Sequence, residues 1–182
     1  MDLQTELPVS ATPPKTQAAP MPSPAKSGPK KMAIIATKGA LDMAYPPLIL
    51  ASTAAALGWE VQVFFTFYGL QLLRKDLSGI AISPLANPAM PMPVPMPVIV
   101  SVLPGMQAMA TSMMKAKMKK KGVASLTELR DLCLEADVKF IACQMTVDLF
   151  EFSKSEFIDG IEYGGAATFM KFAGETDVCL FI

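Results

Sequence analysis

The chain has 182 residues, enough for one domain with a tail, and 52% of them are hydrophobic, ample for a packed core. Its 16 basic and 16 acidic residues leave no net charge, so no global field favours nucleic acid or an anionic membrane. The absence of histidine excludes Cys-His and Ser-His-Asp catalysis, histidine metal ligation and a histidine proton shuttle.

Residues 1–30 carry Pro8, Pro13, Pro14, Pro20, Pro22, Pro24 and Pro29 among Ser, Ala, Thr and Lys. Such a segment buries too little apolar surface to offset its ordering entropy and is expected to be a disordered, Pro-rich tail. It lacks the basic start and apolar run of a secretory signal. Cys133, Cys143 and Cys179 are odd in number and without C-x-x-C spacing, so neither a disulfide framework nor a zinc site is indicated. A reduced, cytoplasmic chain without metal or other cofactor is the expectation.

A domain over 31–182 follows. Residues 32–37 form an apolar run suited to a strand covered on both faces. A loop at Lys38–Asp42 leads to a helix over Tyr45–Leu57, with Pro46 and Pro47 in its first turn and Gly58 as its stop. Residues 60–66 form a second strand, completing a βαβ signal. Lys38 follows the C-terminal end of its strand, where open α/β sheets place ligands, and is a candidate for an anion. The Lys38-Gly39 turn has no nucleotide-binding pattern, and a solvated loop lysine explains it equally well.

Residues 67–75 read as a turn and a short helix ending in Arg74 and Lys75. From Leu77 to Met114 there is no charged residue, while Pro84, Pro88, Pro91, Pro93, Pro95, Pro97 and Pro104 recur. Residues 94–114 are long enough to cross a bilayer and end at a lysine run, which makes a membrane span one reading. The alternating prolines forbid a regular helix over 91–97, so the favoured reading is an apolar loop and a Met-rich helix packed against another subunit. Residues 80–83 are a weaker strand candidate.

Ser125 and Glu128 fit a capping box opening a helix to about Ala136. Cys133 lies on its apolar face and reads as core, or alternatively as a second thiol. Residues 138–142 then form a buried strand running straight into Cys143 and a helix start, with Thr146 as N-cap. There the unsatisfied backbone N–H groups and the positive helix end favour a thiolate, the form that nucleophilic chemistry needs. The plain alternative is a cysteine packed as a small hydrophobe. Glu156, Asp159 and Glu162 read as surface acids. Gly164-Gly165 turns into a helix over 166–173, and residues 178–182 form the last strand, with Cys179 structural. The sum is an α/β fold, a Rossmann-like (flavodoxin-like) parallel sheet of four to five strands with helices on both faces.

Several stretches together resemble the DsrE/DsrF-like sulfur-relay family: Val63–Leu70 with Leu73-Arg74-Lys75, Ala142–Asp148, Ile158–Gly165 and the Leu180-Phe181-Ile182 end. The resemblance covers about residues 31–182. It is closest to the larger branch with an inserted apolar segment, sometimes labelled peroxiredoxin-like. It implies a Rossmann-like sheet, homo-oligomers and sulfur carriage. The cysteine matching Cys143 would accept sulfane sulfur as a persulfide or thiosulfonate from thiosulfate, tetrathionate or polysulfide. Rhodanese or TusA-like proteins would receive it, and the insert, at about 77–114, is a candidate for membrane association. The family tends to have Cys-x-Met-Ser-Met-Asp and then glycine, whereas this chain has Thr146, Val147 and Phe150-Glu151 there. The hydroxyl and Asp148 are kept, as support for the helix cap.

Thiolate attack on sulfane sulfur needs no general base once the thiol pKa is depressed, so the missing histidine is no obstacle. Lys38 is a candidate to stabilise an anionic thiosulfonate. Two other readings compete. A thiol peroxidase usually needs an arginine and a proline near its cysteine, and here the nearest arginine in sequence is Arg130. A non-catalytic oligomeric or membrane-associated binding protein would use Cys143 only as core.

Overall fold

A computed structural model describes residues 28–83 and 105–182. Its centre is a five-stranded parallel sheet in the order β4-β3-β2-β1-β5, formed by β1 (Lys31–Ala36), β2 (Glu60–Phe65), β3 (Lys139–Cys143), β4 (Glu162–Gly164) and β5 (Val178–Phe181). The central strands are continuous apolar runs because both their faces are covered. Alternate residues divide the core in two. Ile34, Val63, Phe65, Phe140 and Ala142 face α1 (Leu41–Ala56) and α3 (Leu126–Glu135), which pack against each other. Ala33, Phe64 and Ile141 face α5 (Ala166–Ala173), where Phe169 stacks on Phe64 with centroids 5.1 Å apart.

The chain steps from β1 to β4 across the sheet, then returns to the far side of β1 for β5. With right-handed crossovers, that reversal puts α5 on the face opposite α1 and α3.

Three expectations are corrected. The first helix starts at Leu41, not Tyr45, so Pro46 and Pro47 lie inside it. The loop holds this early start: Leu41 donates its N–H to the Ala81 carbonyl at 2.8 Å, and Asp42 Oδ1 accepts from the Ser83 N–H at 2.8 Å. Residues 80–83 are not a strand, although Ile80 and Ile82 are buried. The backbone of Ile82 is satisfied by side chains of α2 (Met106–Lys120), accepting from Gln107 Nε2 at 2.9 Å and donating to Thr111 Oγ1 at 3.1 Å. The fifth strand is instead Glu162–Gly164, too short to show a period.

The Met-rich helix forms over Met106–Lys120, with Ala110, Met114 and Met118 packed against the protein's own core, and the capping box at Ser125 has both its bonds. The expected tail over 1–30 falls outside the described residues except for 28–30, and so does the 84–104 part of the insert at about 77–114. Among the described residues, no helix is long and apolar enough to cross a membrane.

Candidate functional site: a hydroxyl-held cysteine at the end of β3

Cys143 is the last residue of β3, at the C-terminal edge of the sheet, paired with Gly164 of β4. Continuing the register Phe65↔Ala142 by one residue sets Thr66 beside it, just past the end of β2. The helix α4 (Gln144–Leu149) begins directly, so Cys143 is itself the N-cap. Thr146, expected as the cap, is the third residue inside that helix and is fully buried. Its hydroxyl accepts from the Phe67 N–H at 3.4 Å and lies 3.1 Å from Thr66 Oγ1.

The loop after Thr66 makes this approach. Phe67 adopts a left-handed φ of 48°, a conformation costing about 1 kcal/mol or more in a non-glycine residue, and so aims its N–H at Thr146. Gly69 then crosses the end of β1 so closely that a Cβ would strike the Ala36 carbonyl. Donation from the Gly69 N–H to the Thr37 carbonyl, at 3.1 Å, pins the crossing.

Opposed effects act on the thiol. Burial pushes its pKa up, since Cys143 is only 5% exposed. Hydrogen bonds from the Thr146 hydroxyl and N–H, the Thr66 hydroxyl and the Met145 N–H outweigh burial, and the net shift is downward. The result is a thiol that ionises more readily than its burial alone would allow, and the causes are hydrogen bonds rather than a charged group. Phe67, Tyr68, Met145 and Leu149 stand exposed on the flanking segments, and Tyr68 stacks on Phe150 with centroids 5.9 Å apart.

The other sequence candidates are not gathered there. Cys133 is fully buried in the core cluster on the opposite side of the sheet, donating to the Leu48 carbonyl at 3.4 Å. Burial raises its pKa to about 11, so it is held as a thiol. Asp148 is exposed, and its Oδ1 accepts from Gln144 Nε2 at 2.7 Å, which braces the outer face of α4. Lys38 is exposed beyond the end of β1, two strands from Cys143. It lines a cavity of about 380 Å³ with Met43, Tyr68, Gln71 and Ser83, and Cys143 is not among the lining residues. Cys179 is exposed on the edge strand β5.

Thr66 was missed in the sequence. The one signal for it is a hydroxyl residue closing an otherwise apolar strand, inside the Val63–Leu70 stretch that carries the family resemblance.

Comparison with known proteins agrees with that resemblance. The model of the DsrE/DsrF/DrsH-like family matches residues 28–181. The chain is 69% identical to the sulfur carrier protein DsrE2 of Allochromatium vinosum over 157 residues, 84% of this chain and 98% of that protein. It is 32% identical to the uncharacterized protein YrkE of Bacillus subtilis, again over 157 residues, 84% of this chain and 97% of that one. The crystal structure of the ychN protein from E. coli superposes with a TM-score of 0.48 at 13% identity, covering 84% of this chain and 99% of that one, too distant to add to the assignment. On the extent of the family match and the identity to these relatives, the chain belongs to the DsrE/DsrF/DrsH-like family.

Proposed function

We propose that this protein is a sulfur carrier that holds sulfane sulfur on Cys143 and passes it to a partner thiol. The observation that carries the reading is the hydrogen-bonded Cys143 thiol, lowered in pKa at the C-terminal edge of the sheet. The name of the 69% identical relative, a sulfur carrier protein, supports it. Loading from tetrathionate balances without an oxidant. The thiolate attacks an inner sulfur, the central S–S bond breaks, thiosulfate leaves, and Cys143 carries a thiosulfonate. Discharge is the same exchange in reverse sense: an acceptor thiolate takes the sulfur and Cys143 departs as thiolate.

A donor or acceptor approaches over the rim of Phe67, Tyr68, Met145 and Leu149. Rhodanese or TusA-like proteins are the proposed acceptors. Further copies of this chain are the proposed cover for Met109 and Met113, exposed on α2. The peroxidase reading gains no support from the arginines. Arg74 pairs with Glu156 at 2.7 Å, and Arg130 is buried against the carbonyls of Leu72 and Arg74.

The test is intact mass after incubation with tetrathionate. The wild type should gain one thiosulfonate that Cys143→Ser does not, while Cys179→Ser still gains it. An adduct that survives in Cys143→Ser, or none on the wild type, would overturn the reading.

A further inference from the structure

We propose that Thr66 and Thr146 are a paired hydroxyl device that donates to Cys143 Sγ while it is a thiolate and turns inward, one hydroxyl to the other, once the sulfur is loaded. The inference rests on the sulfur-carrier reading and adds to it the residues that set discharge.

The geometry permits both states. The two hydroxyl oxygens are 3.1 Å apart, within hydrogen-bond distance, and either can be the donor. Register sets Thr66 beside Cys143, Thr146 lies in the first turn of the helix that Cys143 caps, and both hydroxyls act on the thiol to lower its pKa. The Phe67 N–H occupies an acceptor position on Thr146 Oγ1, which leaves the Thr146 proton free to point at the sulfur or at Thr66. Two rotatable O–H groups therefore face three acceptors, and the charge on Sγ decides where the protons go. A thiolate draws both; a neutral, loaded Sγ attracts neither strongly, and one hydroxyl then donates to the other. With Thr146 fully buried, an unpaired hydroxyl would be costly, so in the loaded state one proton makes the inward bond and the other keeps a weak bond to the neutral sulfur.

No charge shares this task. The charged side chains on the neighbouring elements, Glu60 on β2, Lys139 on β3, Asp148 on α4, Glu162 on β4 and Lys171 on α5, are not among the causes of the shift at Cys143.

The consequence is a bias towards release. Stabilising a thiolate lowers its intrinsic nucleophilicity but makes it a better leaving group, and the thiolate is the leaving group when sulfur is handed on. The loading step, in which Cys143 Sγ bonds to the incoming sulfur and thiosulfate leaves, consumes the stabilised thiolate. The discharge step regenerates it, with the acceptor thiolate bonding to the same sulfur and the electron pair of the broken S–S bond returning to Sγ.

Exchange of Cys143 with a soluble aromatic disulfide, followed against pH in a Cys179→Ser background, tests this without any sulfur donor. A hydrogen bond to a charged group is worth roughly a factor of ten in such an equilibrium, and nucleophilicity recovers about half of the logarithm. Thr66→Val should thus react about threefold more slowly near neutral pH and about threefold faster on the high-pH plateau, so its profile crosses that of the parent. Thr66→Ser should restore the parent profile. Discharge of pre-loaded thiosulfonate to a small thiol should slow in Thr66→Val. Superimposable profiles in Thr66→Val and Thr66→Ala, or a uniform change at every pH, would overturn the proposal. If the crossing is seen but tetrathionate leaves no adduct, the hydroxyl pair stands as a thiolate holder and the carrier reading falls.

Discussion

Cys143 and Cys133 are the same residue type ten positions apart in the sequence, and their surroundings drive them in opposite directions. At Cys143, hydrogen bonding from Thr146, Thr66 and Met145 outweighs burial and lowers the pKa, whereas Cys133 has burial as its dominant influence and is raised from 9.0 to about 11. A group whose folded pKa is raised contributes stability that is fully present below its unfolded value and is lost as pH rises through the folded value. For Cys133 the unfolded chain ionises first, so the protein should lose about 2–3 kcal/mol from this thiol between pH 9 and 11. The denaturation midpoint in urea, compared with Cys133→Ala, checks it. The variant should begin less stable but lack that part of the alkaline slope, and an identical slope in both proteins would contradict the assignment. Cys143 has the other sign. Its contribution is full above the unfolded value and is lost as pH falls through the depressed one.

Between elements, the buried guanidinium of Arg130 joins α3 to the end of the 3₁₀ segment Phe67–Leu73 that crosses the sheet next to the site. Its Nη1 donates to the Arg74 carbonyl at 2.7 Å and the Leu72 carbonyl at 3.3 Å, while the Asp131 carboxylate is 3.9 Å from Nε. Arg130→Leu would orphan two carbonyls, each costing about 1–3 kcal/mol if left unsatisfied, and would also remove the cost of a buried cation. The first term should prevail, giving a net loss of about 2 kcal/mol in urea unfolding. A variant as stable as the wild type would mean that desolvation cancels what the bonds return. Neither the clamp nor the loop it holds could be read from sequence spacing. Leu72 and Arg130 are 58 residues apart, and Phe67, which the family resemblance includes, shows no sequence sign of its positive φ.

At the scale of the whole molecule, the sheet puts Cys143 and the larger core cluster on different faces. The α1 and α3 face holds the larger cluster, while the α5 face is a thin cover whose Phe169 and Phe172 share a cluster with Cys143. Phe169→Ala should cost about 3–5 kcal/mol and also speed Cys143 alkylation at fixed pH by opening that cover. Met170→Ala, altering an exposed side chain on the same helix, should change neither. Thermal unfolding and timed alkylation read the two effects, and unchanged alkylation in Phe169→Ala would show that α5 does not shield the thiol.

Apolar runs, glycine and serine punctuation and the strand-to-cysteine junction were enough to determine the parallel α/β class, four of the five strands, the capping box and the place of Cys143 at the end of a buried strand. Each of these depends on local periodicity or backbone chemistry, which neighbouring residues carry themselves. The remaining features depend on partners far along the chain. Ile80 and Ile82 alternate like a strand, yet the backbone of Ile82 bonds to side chains of α2, so only packing could withhold them from the sheet. Glu162–Gly164 pairs only because β3 offers an open edge to it. Thr66 and Thr146, 80 residues apart, meet because parallel register carries the end of β2 to the end of β3. The candidate cysteine was legible in the sequence. The hydroxyls that tune it were decided by the sheet.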